Sequence, residues 1–143
     1  MKTYTINEVA RMSGLSARTV RGYIKTGFLS GEKIDGVWKF SREEVGELFA
    51  NKAVSQSIRA KRNAVIYDFL LDDRKKNDEM CSILDLFAEE EAAAEISDFF
   101  CSKISSGEYS EMNFSFEHHG KNVRVILKGP AESVLKILSE YYE

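Results

Sequence analysis

SGLSARTVRGYIKTGFL, residues Ser13 to Leu29, decides how the N-terminal part of this chain is read. Ser13-Gly14-Leu15 is a turn signal, and Ser16 is an N-cap residue whose side-chain oxygen can accept one of the backbone N–H groups that a helix start leaves open. Val20 with Tyr23 or Ile24 supplies an apolar stripe, so a helix is predicted from Ala17 to about Lys25. Gly27 is its stop signal. Arg18 and Arg21 stand three residues apart and project from one face, while Val20 and Ile24 hold the opposite face on a core. A short basic helix behind a tight turn is either a reading head for DNA or an ordinary solvated helix, and the neighbouring sequence discriminates.

Working outward, Thr5-Ile-Asn-Glu8 fits a capping box, which predicts a first helix from about Ile6 to Met12 with Val9 and Met12 inward. On the other side, Phe28 and Leu29 return to the core. SGEKIDGVWKF then reads as a strand pair turning near Asp35-Gly36. Ser41-Arg-Glu-Glu44 is a second capping box, opening a helix through about Ala50. The first fifty residues contain neither His nor Cys, so their chemistry is recognition rather than catalysis. A helix entering the major groove is short and carries long polar side chains near its N-terminal end, where base edges lie. Ser16, Arg18, Thr19 and Arg21 meet that demand. One arginine could read a guanine while the other holds a phosphate, or both could take phosphates. Lys33 and Lys39, with Trp38 between them as core or contact, would bring amines near an adjacent stretch of backbone.

The charge distribution agrees with a division of labour. The whole chain has a net charge of -3. Residues 1–62 hold twelve Lys/Arg against six Asp/Glu, and the remainder eight against seventeen, so a basic module precedes an acidic one. Only the first part is suited to approach phosphate. No apolar run reaches the roughly 18 residues of a membrane span and the first residues lack an apolar signal stretch, so a cytoplasmic protein with no membrane partner is expected. Cys81 and Cys101 are too sparse for a disulfide scaffold or zinc finger and are read as reduced, helix-packing thiols.

YTINEVARMSGLSARTVRGYIKTGFL resembles the N-terminal pattern of MerR-type regulators and of related excisionase-like domains, a winged helix-turn-helix, over Thr3 to about Ala50. The resemblance implies that Arg18, Thr19, Arg21 and Tyr23 are recognition-helix residues near DNA and that Lys33 to Lys39 form the wing. Two positions depart from the MerR pattern: Gly22 stands where an aromatic is usual, and GVWKF replaces the usual Gly-Tyr-Arg wing. DGVWKFSREEVGELF is closer to the excisionase type. The expected DNA-binding set is therefore Ser16, Arg18, Thr19, Arg21, Tyr23, Lys25, Lys33, Trp38 and Lys39.

Beyond Lys52, the spacing of Val54, Ile58, Val65, Ile66, Phe69 and Leu70 predicts a helix that breaks at DDRKKNDE. Its Arg59, Lys61 and Arg62 are either an extension of the phosphate footprint or a solvated face. Met80, Ile83, Leu84, Phe87, Ile96, Phe99, Phe100 and Ile104 read as an amphipathic helix interrupted by EEEAAAE. A hairpin follows. With His119-Gly120 as central turn residues, Phe116 faces Val123, Phe114 faces Val125 and Met112 faces Leu127, so one face is apolar. Pro130 is placed at the first position of a last helix in which Val134, Leu135, Ile137, Leu138 and Tyr141 form a wide apolar face. A lone two-stranded sheet is marginal, so helices or a second copy of the chain must cover it.

His118 and His119 beside two cysteines raise the idea of a metal sensor, but adjacent histidines in a turn point apart and no Cys lies at ligand spacing. Glu89-Glu90-Glu91 is read as a wet helical face rather than an acidic partner or cation site. Phe87, Phe99, Phe100, Phe114, Phe116, Tyr141 and Tyr142 are read as core or dimer contacts rather than an effector pocket. No catalytic set stands out, so neither enzyme activity, cofactor nor metal is expected. The fold expected is α+β, mainly α: a winged helix-turn-helix (1–52), a linker helix (53–76), and a helix, β-hairpin, helix domain (77–143) for dimerisation or effector binding. The function expected is a MerR-like transcriptional regulator, a homodimer on a pseudo-palindromic site in double-stranded DNA, with a small-molecule effector possible in principle but unsupported by any residue. The alternatives are an excisionase-like architectural factor and a protein-binding adaptor.

Overall fold

The computed structural model describes residues 2–109 and 111–143, and of His119 the backbone alone. The chain divides into two compact units, Met1–Asn63 and Ala64–Glu143.

The first unit is assembled from locally determined pieces. Strand β1 (Thr3–Tyr4) leads into helix α1 (Ile6–Ser13). Thr5 starts that helix because its hydroxyl accepts the Glu8 N–H at 3.2 Å while Glu8 Oε1 accepts the Thr5 N–H at 3.0 Å. Gly14, at φ 75°, ends it in the left-handed region that costs glycine nothing. Helix α2 (Ala17–Thr26) follows after three residues, Gly14 to Ser16, and stops at Gly27, φ 84°. Strands β2 (Glu32–Ile34) and β3 (Val37–Ser41) pair antiparallel around Asp35 and Gly36, whose φ values of 52° and 80° are both positive, as a type I′ turn requires. Strand β3 also pairs with β1, giving the order β1-β3-β2. Ser41 and Glu44 form the second capping box, and helix α3 (Arg42–Ala50) runs from it. Tyr4, Val9, Met12, Val20, Leu29, Phe40, Val45 and Leu48 are buried together with Val54 and Ile58 of helix α4 (Lys52–Leu71).

From Ala64 onward, α4 belongs to the second unit. Its last two turns leave Tyr67, Leu70 and Leu71 exposed. Lys75 folds back over the Phe69 ring and donates to the carbonyls of Phe69 and Asp72, satisfying groups that a helix C-terminus leaves open. The helix therefore ends at the acidic break that the sequence marks.

The rest of the second unit corrects the expected architecture. Residues Glu79–Phe87 are a strand, β4, not the first half of an amphipathic helix. They precede helix α5 (Glu90–Ser105), strands β5 (Asn113–His119) and β6 (Asn122–Pro130), and helix α6 (Ala131–Tyr141). Apolar spacing at Met80, Ile83, Leu84 and Phe87 satisfies a helical period, but Met80, Leu84 and Leu86 also alternate with the more exposed Ile83, Asp85 and Phe87. Only the alternation is used, because pairing with β6 satisfies the backbone along all nine residues, Glu79↔Pro130 to Phe87↔Asn122. The sheet order is β4-β6-β5, with β4 and β5 both antiparallel to β6. This is a split β-α-β arrangement, and the third strand removes the weakness of a lone hairpin.

The hairpin register differs by two residues from expectation. Gly120 and Lys121, not His119 and Gly120, are central, so Phe116 faces Val125 and Phe114 faces Leu127. Gly120 has φ 57° and occupies the first central position, which is where a type II′ turn places glycine. A slip of two keeps every side chain on its face, so the apolar surface of Phe114, Phe116, Val123, Val125 and Leu127 survives the correction. Met112 lies just before β5.

Helix α5 packs against β5 and α6, and α6 against β4 and β6. The core is aromatic: Phe100 stacks between Phe114 at 5.8 Å and Tyr141 at 5.3 Å, with Phe99 edge-on to both Phe100 and Tyr141. Phe87, Leu135 and Tyr142, expected inward, are exposed. Pro130 is the N-cap of α6 rather than its first residue, because it still pairs with Glu79 as the last residue of β6. Both cysteines are free thiols. Cys101 is buried on α5, but Cys81 lies on β4 rather than a helix, with its thiol pKa pushed up by burial.

Where α5 ends, Tyr109 is buried and donates its hydroxyl to Glu140 Oε1 at 2.5 Å, while Lys103 Nζ reaches Glu140 Oε2 at 2.6 Å. The bonds from Lys103 and then Tyr109 hold the Glu140 carboxyl below its ordinary pKa. Burial and the same bond push the Tyr109 hydroxyl up.

Candidate nucleic-acid interface

The geometry of α2 follows from what surrounds it. The buried Ser13 hydroxyl donates to the Ala10 carbonyl at 3.1 Å and accepts the Leu15 N–H at 3.2 Å, fixing the turn that Gly14 permits. Ser16 then caps α2: its hydroxyl accepts the Thr19 N–H at 3.1 Å and lies 2.9 Å from the Thr19 hydroxyl. Val20 is fully buried and Ile24 half-buried, so the opposite face is turned to solvent. At the far end the Leu29 N–H reaches the Tyr23 carbonyl at 3.1 Å, and Phe28 lies 6.0 Å from the Tyr23 ring.

On this frame Arg18, Arg21 and Lys25 are exposed along one stripe, at spacings of three and four residues. Among the described residues none of the three makes an ion pair or hydrogen bond. Their charges need not be released from a partner before meeting a phosphate. The helix itself carries no acidic residue. Gly22 sits within the stripe, four residues after Arg18 and three before Lys25, and a Cβ placed there would meet nothing within 4 Å. The intramolecular packing therefore gives no reason for glycine at this position. Gly22, a departure from the MerR pattern in the sequence, thus stands among the cations of the stripe.

The remaining expected residues are distributed unequally. Ser16 and Thr19 are exposed at the start of α2, with their hydroxyls already engaged with each other. Tyr23 is half-buried and, at 3.6 residues per turn, falls on the side of the helix nearer Val20 than the stripe. Lys33 is exposed on β2 opposite Trp38. Trp38 is half-buried because its ring stacks on Phe40, 6.2 Å away and nearly parallel, and Lys39 is half-buried opposite Glu32. At the hairpin tip the apolar Ile34 and Val37 are each about half exposed, which the expected set omits.

Gly31 explains why β2 lies close to β3: a Cβ there would overlap the Phe40 ring and come 2.7 Å from the Lys39 carbonyl oxygen. Two capped helices at a glycine turn, the second presenting a solvent-facing basic stripe, have the form in which a helix enters a DNA groove. The family described as a helix-turn-helix domain matches residues 3–53. Residues 3–53 are a helix-turn-helix domain. No curated protein and no solved structure matches the chain significantly. The helix-turn-helix domain thus supplies the candidate interface, with α2 as its second helix.

Among the described residues the second unit offers no comparable site. His118 Nε2 is 2.6 Å from the Gly120 carbonyl oxygen, and the His119 side chain lies outside the described residues. Glu89, Glu90 and Glu91 are exposed at the start of α5, where carboxylates complement the helix dipole.

Proposed function

We propose that the protein is a sequence-specific DNA-binding transcriptional regulator of MerR-like type. It acts as a homodimer on a pseudo-palindromic operator and has no catalytic role. The observation that carries this reading is the stripe of Arg18, Arg21 and Lys25, cationic and without partners among the described residues, on the solvent face of a helix whose other face is anchored by Val20. In this reading α2 enters the major groove and its N-terminal residues reach base edges. The β2–β3 hairpin serves as a wing, bringing Lys33 to the adjacent backbone. Two such helices on one dyad site double the contacts, and the dyad symmetry of the protein sets that of the operator.

Selection of bound sequences from a random DNA library, followed by anisotropy titrations with the selected site, tests the reading. Arg18→Ala and Arg21→Ala each weaken specific binding by about 1–3 kcal/mol where the side chain contacts a base, or lower the salt slope by about one unit where it contacts a phosphate. An unchanged footprint and affinity for both variants overturns the assignment of α2. A recombination-directing excisionase-like role is the second reading, favoured by the DGVWKFSREEVGELF segment of hairpin and α3. It predicts direct repeats among the selected sites, whereas the regulator predicts a dyad.

A further inference from the structure

The nine residues of β4, EMCSILDLF, form one margin of the second unit's sheet. Strand β6 occupies one side of β4, and among the described residues no strand occupies the other. The backbone groups directed away from β6 are thus a template for another strand. Proteins normally blunt such a margin with lysine, proline, a bulge or a charge. Strand β4 has no Lys, Arg, Pro or Gly, and its pairing with β6 runs from end to end without a bulge. Its one interior charge, Asp85, is held by Arg124 through two hydrogen bonds of 2.6 and 2.8 Å. On the same face Ile83 is 51% and Phe87 77% exposed, while Ile126 of the central strand is buried. The uncovered apolar area therefore belongs to the β4 margin. The other margin, β5, instead carries Glu117 and His118 toward its turn.

We propose that β4 pairs antiparallel with β4 of a second copy of this chain, about a two-fold axis at Ile83, joining two three-stranded sheets into one of six strands. The inference rests on the homodimer in the function proposed above and names the surface that makes it. The strand is self-complementary in this register. Ile83 meets its own counterpart, Cys81 meets Asp85, and Glu79 meets Phe87; on the other face Ser82 meets Leu84 and Met80 meets Leu86. All nine residues are used and no like charges stand opposite. Moving the axis to Asp85 would set two carboxylates against each other, which is unfavourable. Moving it to Cys81 would shorten the overlap.

Sedimentation velocity on the full chain, with and without substitutions, tests this. The expected result is a wild-type dimer at micromolar concentration. Ile83→Lys places two ammonium groups face to face across the axis and raises the dissociation constant about tenfold or more, with an unchanged circular dichroism spectrum. Leu70→Glu, on the exposed end of α4, leaves the dimer intact. Because Ile83→Lys could disturb folding, Ile83→Cys in a Cys81→Ser background provides a second readout. Under a mild thiol oxidant such as diamide, the two cysteines at the axis join into a covalent dimer. Wild-type Cys81 stands about 13 Å from its counterpart in this register and does not crosslink. A wild-type monomer at tens of micromolar, a dimer dissociated by Leu70→Glu but not by Ile83→Lys, or failure of Ile83→Cys to crosslink overturns the proposal. DNA binding that still depends on Arg18 in a monomeric protein would leave the DNA reading standing while removing the β4 dimer.

Discussion

Gly22→Ala separates what α2 needs for folding from what it needs for DNA. In the interior of a helix, glycine is less stable than alanine by about 0.5–1 kcal/mol, because its backbone loses more freedom on folding. At Gly22 nothing opposes that gain, since the added Cβ lies in open space. The substitution should stabilise the helix-turn-helix domain by that amount, an increase of several degrees in Tm on the scale of about 4–8 °C per kcal/mol for a 60–100-residue domain. On DNA the expected sign is opposite. Gly22 lies between Arg18 and Lys25 on the stripe, so a methyl group there would stand where the helix backbone approaches the groove. An extra methyl in a close-packed contact costs about 1–3 kcal/mol, which is roughly 5- to 150-fold in Kd. Gly46→Ala is the control: Gly46 is an exposed interior residue of α3, also without a neighbour within 4 Å, and should give the stability gain with no change in affinity. Thermal unfolding by circular dichroism and anisotropy titration of labelled operator provide the two readouts. If Gly22→Ala stabilises the protein and binds DNA as tightly as wild type, the backbone of α2 does not approach the groove at Gly22. If it fails to stabilise, the open-space argument is wrong.

Two further substitutions probe other parts of the structure. Ser16→Ala removes the cap of α2 and should cost about 1 kcal/mol of stability by denaturant titration, whereas Ser16→Gly should cost only a few tenths; equal losses of DNA affinity in both would assign the Ser16 hydroxyl a DNA contact beyond its capping role. Glu140→Gln removes a carboxylate whose pKa is lowered in the folded protein by Lys103 and Tyr109, so its stabilising contribution is present above the unfolded carboxylate value of about 4.3 and lost as pH falls through the folded value. The Tm gap between wild type and Glu140→Gln should therefore be open at pH 7 and close in acid, and a gap that persists at pH 2 refutes the assignment.

What was legible in the sequence was what is decided within a few residues. Thr5 with Glu8, Ser41 with Glu44, Gly14, Gly27 and the Asp35-Gly36 turn each fix their own backbone, and the structure uses each as read. The region Met80–Phe87 was not legible because its apolar residues fit both periods, and the choice depends on β6, some forty residues later. The hairpin register is not legible for a different reason: one glycine in His119-Gly120-Lys121 allows two turns, and a slip of two leaves the apolar face unchanged, so hydrophobic patterning cannot choose. At the candidate interface the cations were legible as residue types. Their freedom from ion pairs was not, because it depends on where the acidic residues of the hairpin and α3 come to lie.

The opposite charges of the two halves bear on how binding should respond to salt. The acidic surplus of residues 64–143 enters the net charge, but the counterions released on binding are those of the phosphates that the protein's cations contact. The slope of log affinity against log salt therefore counts phosphate contacts rather than net charge. If Arg18, Arg21, Lys25 and Lys33 all take phosphates, one domain gives a slope near -3.6 and two domains on one operator a slope near -7, at roughly 0.9 per contact. If Arg18 and Arg21 read bases instead, the slope is shallower although the affinity for the selected site is higher. Comparing wild type with Ile83→Lys places the count on the assembly. A variant that no longer dimerises should bind a single half-site with about half the wild-type slope. The same full slope on a half-site would mean that the phosphate contacts all come from one copy, and the two-domain docking would be wrong.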